Sequence, residues 1–83
     1  MIVKKFTDEQ LEITRNMLTH VCIALDEKGY DALDQIQGYL LTEDPTYITT
    51  YNEARKVITA LDREDLLRCI LEVYLGLYGA DGE

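Results

Sequence analysis

Apolar residues return along the first third of the chain at the spacing of one helix face. Leu11, Thr14, Leu18, Val21, Cys22 and Leu25 follow the helical period, and Met17 and Ala24 widen the stripe. Just before them, Thr7-Asp8-Glu9-Gln10 has the form of a capping box. In such a box the Thr hydroxyl accepts from the backbone N–H three residues on, and Gln10 reaches back. Phe6 and Leu11 stand at the two positions of a hydrophobic staple. Helix 1 is therefore predicted to start near Asp8. Gly29, free to turn left-handed, is predicted to end it. Ile23 falls on the otherwise polar side, where it would serve at a subunit contact.

The pattern then shortens. Asp31 is placed to cap a second helix carrying Leu33, Ile36 and Leu40, which Thr42-Glu43-Asp44-Pro45 ends. Asp44 is a new N-cap with Pro45 at the first position, where proline's missing donor does no harm. Pro45 to Ile48 reads as a single turn. Thr50-Tyr51-Asn52-Glu53 repeats the capping-box form. Ala54, Val57, Ile58 and Leu61 give one apolar face of a third helix. Asp62-Arg63-Glu64-Asp65 starts a fourth, with Leu61 and Leu66 as its staple.

Helix 4 differs in kind. Leu66, Leu67, Ile70, Leu71, Val73, Tyr74, Leu75, Leu77 and Tyr78 cover well over half its circumference, and Glu64, Asp65, Arg68 and Glu72 mark a polar strip. A helix apolar nearly all round needs burial on more than one side. A second copy of the chain is the simplest cover, since short chains often complete their burial by oligomerising. The expected interface is Leu67, Ile70, Leu71, Tyr74, Leu75 and Tyr78, with Ile23 a peripheral contact. The expected fold is all-α: one compact domain over 1–83 with about four helices, a single turn and a helix-turn-helix-like C-terminal half, as a homodimer. Residues 1–6 read as a short arm and 79–83 as a frayed tail.

With 83 residues the chain holds one domain. Its formal charge of -8 argues against nucleic acid and against an anionic membrane surface. No apolar run opens the chain as a signal peptide does, and none approaches a membrane span. The expected location is cytoplasmic. Cys22 and Cys69 are too few and too far apart for a disulfide framework or zinc site, and read as small apolar residues.

Little here reads as chemistry. His20 is the only histidine and falls on the polar side of helix 1. No glycine-rich phosphate loop or calcium-loop pattern occurs. The adjacent carboxylates Asp8-Glu9, Asp26-Glu27 and Glu64-Asp65 fit helix starts and solvated faces. The expectation is a protein without enzymatic activity, metal or cofactor. Arg55, Lys56 and Arg63 supply three of the eight basic residues, and in an acidic chain such a patch can steer an acidic partner. Tyr47 and Tyr51 flank it. The five residues form the candidate partner-binding surface, against the plainer reading of solvated or intrachain-paired arginines and packed tyrosines.

One string of residues carries a resemblance. It runs Glu27-Lys28-Gly29-Tyr30, Gln35-Ile36, Gly38-Tyr39-Leu40-Leu41, Asp44-Pro45, Tyr47-Ile48, Ala54-Arg55, Leu61 with Arg63, and Tyr74-Leu75. From Glu27 to Leu75 this resembles the IreB/ReoM family of small cytoplasmic regulatory phosphoproteins of Gram-positive bacteria. The resemblance implies an all-α homodimer without catalytic activity, acting in cell-envelope homeostasis. It implies a membrane Ser/Thr kinase with extracellular PASTA domains, and its phosphatase, as upstream partners. Downstream it implies control of the Clp-protease turnover of the enzyme that starts peptidoglycan precursor synthesis. Two departures stand out. The family's phosphorylated Thr lies in an arm before a Met-x-Phe-like segment; here that segment corresponds to Met1 through Phe6, and Thr7 follows the Phe. Thr7 is both the candidate phosphorylation site and the candidate cap. The stretch matching Thr49 to Arg63 is also less basic than in the family, with Thr50, Tyr51, Thr59 and Ala60 where basic or His residues are common.

Two other readings compete with a regulator that works through protein contacts. One is a structural dimerisation module with no regulated partner. The other is a helix-turn-helix DNA-binding regulator built on helices 3 and 4. Phosphate contacts dominate DNA affinity, and helix 4 sets Arg63 and Arg68 against Glu64, Asp65 and Glu72.

Overall fold

The computed structural model describes residues 3–77. Among them are four α-helices, α1 (Asp8–Glu27), α2 (Ala32–Thr42), α3 (Ala54–Thr59) and α4 (Arg63–Tyr74), and no strand. Two short 3₁₀ turns, Pro45–Tyr47 and Tyr51–Glu53, lie between α2 and α3. The long helix α1 is the spine, and α2, α3 and α4 each pack on it.

The helix starts follow local polar chemistry. Thr7 Oγ1 accepts from the Gln10 N–H at 3.1 Å and Gln10 Oε1 accepts from the Thr7 N–H at 2.9 Å, so both halves of the capping box form. Asp31 Oδ1 accepts from the Asp34 N–H, and Asp62 Oδ1 from the Glu64 N–H. Asp44 Oδ1 takes both the N–H and the hydroxyl of Thr46. Each satisfies a donor that a helix start leaves orphaned. Gly29 is left-handed (φ 83°), and the Tyr30 N–H reaches the Leu25 carbonyl while the Gly29 N–H reaches that of Asp26. That pair of bonds is a Schellman motif.

Three expectations fail locally. The box expected at Thr50 does not form: its side chain caps nothing, and the Tyr51 N–H bonds to Thr49 Oγ1 instead. Asn52 and Glu53 are both left-handed, at φ 49° and 60°. That kink turns the chain so that Ala54, fully buried, enters the core. The apolar pattern carries helix 4 on through Tyr78, but Gly76 is left-handed (φ 78°) and closes a second Schellman motif, with the Leu77 N–H on the Glu72 carbonyl. On α2 the buried residues are Ile36 and Tyr39, and Leu33 is exposed. The tail at 79–83 lies outside the described residues.

The core is one cluster: Val21, Ala24 and Leu25 of α1, Ile36 and Tyr39 of α2, Ile48 of the loop, Ala54 and Ile58 of α3, and Leu66 of α4. Fully burying such aliphatic side chains stabilises by roughly 1.5–3 kcal/mol each. From α4 the cluster takes Leu66 of the first turn, and Ile70, half-buried, packs against it from the next.

Candidate interaction surface

The second half of α4 leaves a stripe uncovered. Leu67, Leu71, Tyr74 and Leu75 are 39%, 54%, 85% and 58% exposed. Their spacing places them on one side of the helix. Ile70 flanks the stripe, half-buried, and packs on the core. Tyr78 lies outside the described residues. Beside the stripe, α1 and α4 diverge into an open groove of about 450 Å³. Leu11, Leu18 and Cys22 line one wall, and Cys69, Ile70, Val73 and Tyr74 the other. Ile23 is exposed on α1 but does not line this groove.

Both cysteines border the groove, and burial pushes both thiols up. For Cys69 the nearby carboxylates of Glu72 and Asp65 add to the rise, against the Thr14 hydroxyl. A raised thiol is a poor nucleophile, so neither residue is primed for covalent chemistry. Among the described residues no cluster of His, Cys, Asp or Glu could hold a metal ion. No helix among them is long and apolar enough to cross a membrane.

The basic patch is engaged within the chain. Arg55 Nε donates to the Ile48 carbonyl at 2.9 Å. Arg63 donates to the Leu40 carbonyl at 3.0 Å and pairs with Glu43 at 2.9 Å, which closes the C-terminal end of α2. Lys56 is exposed. Tyr47 lies against Gly38, where an added Cβ would run into its ring, and Gln35 donates to the Tyr47 carbonyl. Tyr51 donates to Glu27 at 3.3 Å, and the Lys28 ammonium sits 5.1 Å from its ring centre. His20 is exposed, with Nε2 2.8 Å from the Asn52 carbonyl oxygen.

Glu72 lies on the polar strip of α4 but is not solvated. It is 2% exposed, covered by the N-terminal segment. Burial by itself pushes its pKa up. The Lys5 N–H, the Arg68 side chain and the Phe6 N–H outweigh that and hold it below the ordinary glutamate value. The only local signal for this was Arg68 one turn earlier, at the i,i+4 spacing of an ion pair.

The sequence model of the family described as IreB regulatory phosphoprotein matches residues 1–76. The chain belongs to the IreB family. An IreB-family role is regulatory, and the fold is all-α, as the resemblance implied. For an IreB phosphoprotein the hydroxyls matter. Thr7 is exposed, yet its Oγ1 is occupied as the α1 cap.

Proposed function

We propose that this IreB-family chain regulates by protein–protein contact, without enzymatic activity, as a cytoplasmic homodimer paired through α4. One observation carries the pairing: the exposed stripe of Leu67, Leu71, Tyr74 and Leu75. Contiguous apolar side chains of this kind mark interaction sites. A stripe along one helix is self-complementary across a two-fold axis, which is the commonest oligomer geometry. The same stripe counts against DNA recognition, because α4 would be the recognition helix and its free face is apolar.

The remaining assignments rest on family membership. The upstream partner is a Ser/Thr kinase and its phosphatase. The downstream process is control of peptidoglycan precursor synthesis through Clp-dependent turnover. Thr7 is the proposed phosphoryl acceptor: a phosphate there would sit at the N-terminus of α1, where the helix dipole and free N–H groups favour it. Within the basic patch the residue left free for a partner is Lys56, with Arg55, Arg63, Tyr47 and Tyr51 shaping the surface around it.

The experiment is affinity recovery from the native host, with wild type beside Leu71→Glu, followed by phosphopeptide mapping of the recovered protein. Recovery of kinase or Clp components together with phosphate on Thr7 supports the reading. Phosphate elsewhere removes Thr7, and recovery of no specific protein favours a structural dimerisation module.

A further inference from the structure

Residues 3–6 cross back over α4 as a strap, and polar bonds hold it to the helix. Glu72 Oε2 accepts from the Lys5 backbone N–H at 3.0 Å, and Oε1 accepts from that of Phe6 at 3.3 Å. Arg68 Nε donates to the same carboxylate at 2.9 Å, and its Nη2 donates to the Val3 carbonyl. The Lys5 ammonium pairs with Asp65 at 3.1 Å. Asp65, Arg68 and Glu72 thus hold the strap along one flank of the helix.

Apolar anchoring is light by comparison. Val3 is 61% exposed, Phe6 is half-buried, and no strap residue belongs to the core cluster. Segments with few buried apolar contacts open at lower free energy than the core. The downstream end is fixed separately, because Thr7 and Gln10 bond to each other and not to α4. Swinging between Phe6 and Thr7 therefore leaves α1 capped, and it also parts the Lys4 ammonium from Asp8 on the first turn of α1.

We propose that Glu72 is a latch: its carboxylate holds residues 3–6 on α4, and the strap opens as a unit, loosening the second half of α4 while the α1–α3 core stays folded. Both carboxylate oxygens are in use, by three donors in all. An amide of the same shape would have to turn an NH₂ toward a donor, so the charge and both acceptors are needed. Opening returns Glu72 to water, so it strands no buried charge. Beyond its first turn α4 is held to the rest of the fold by Ile70, which packs on the core, and by buried Cys69, whose Sγ lies 3.9 Å from the Thr14 hydroxyl of α1; the strap is a further tether. The latch does not depend on the stripe being a dimer contact, since the strap bonds lie within one chain.

Amide exchange by NMR on the full chain tests it, comparing wild type, Glu72→Gln and, as a charge control, Glu64→Gln, an exposed side chain on the first turn of α4. In wild type the Lys5 and Phe6 amides should exchange far more slowly than in an unstructured peptide. Glu72→Gln should speed them by roughly tenfold or more, the scale of bonds to a charged group. The Val21–Leu25 amides should stay unchanged, and Glu64→Gln should change neither set. Should Glu72→Gln not fold, Arg68→Gln, on a side chain that is 43% exposed, should speed the same two amides alone. Three results overturn the latch: strap amides that exchange freely in wild type, strap protection that survives both variants, or a rise shared equally by strap and core.

Discussion

The side of the molecule around Arg55 and Arg63 and the free side of α4 invite opposite readings from composition. The arginine side has the residue types that interfaces favour. The α4 side has the composition of a core. The structure engages the first within the chain and leaves the second in solvent. Arg55 and Arg63 spend their donors on the Ile48 and Leu40 carbonyls and on Glu43. Leu67, Leu71, Tyr74 and Leu75 stand in solvent. Residue type alone does not mark a binding surface. What marks it is a side chain whose favourable contacts are unmet within its own chain: an arginine finds carbonyls in its own fold, and an uncovered leucine has no polar substitute.

That contrast is breakable. Leu71→Glu puts a charge in the middle of the stripe, and should weaken self-association by roughly 30-fold or more, the scale of losing one hot spot of about 2 kcal/mol. The helical circular dichroism should be unchanged, because Leu71 is more than half exposed. Association that survives would move the interface elsewhere on the surface.

Arg55→Ala should act on the other side, and on stability rather than association. It strands the carbonyl of Ile48, a residue with no exposure, at a cost of about 1–3 kcal/mol. For a domain of this size each kcal/mol lowers Tm by roughly 4–8 °C. A variant with native Tm but lost partner recovery would restore the arginine to a binding role.

Thr7→Ala removes one half of the capping box and should cost about 1 kcal/mol, with Thr7→Asp largely restoring it. Equal melting temperatures for wild type and Thr7→Ala would remove the cap. Acid acts through the strap near the same end of α1. Glu72 has a depressed pKa when folded, so its contribution is present above the ordinary glutamate value and is lost as pH falls through the depressed one. Glu72→Gln should flatten that part of the stability–pH curve, and an unchanged acid limb would show that other carboxylates control it. The smallest effect belongs to Lys56→Glu, on an exposed side chain, which should leave stability within roughly 0.5 kcal/mol of native.

Much of this fold was legible because helix starts are local. Thr7, Asp31, Asp44 and Asp62 each cap through a bond two or three residues away, so the information sits in one short string. Gly29 was legible for the same reason. Gly76 was not, because apolar residues on both sides of it continue the helical pattern that its left-handed backbone interrupts. The Asn52–Glu53 kink is dictated by where Ala54 must go, which is a tertiary demand that overrode a plausible capping string. Glu72 was the largest miss at the site. Its backbone donors come from 66 and 67 residues away, and no local pattern announces a bond of that range. The α4 stripe was legible as an excess of apolar surface, whereas the packing of Ile70 against the core cluster was not.

The measurement closest to the central claim is sedimentation equilibrium of the wild-type chain at micromolar concentration. Pairing through α4 predicts a mass of about 19 kDa, twice the 9.5 kDa chain, that falls toward the single-chain value on dilution or in Leu71→Glu. A wild-type protein that holds the single-chain mass throughout that range would contradict it.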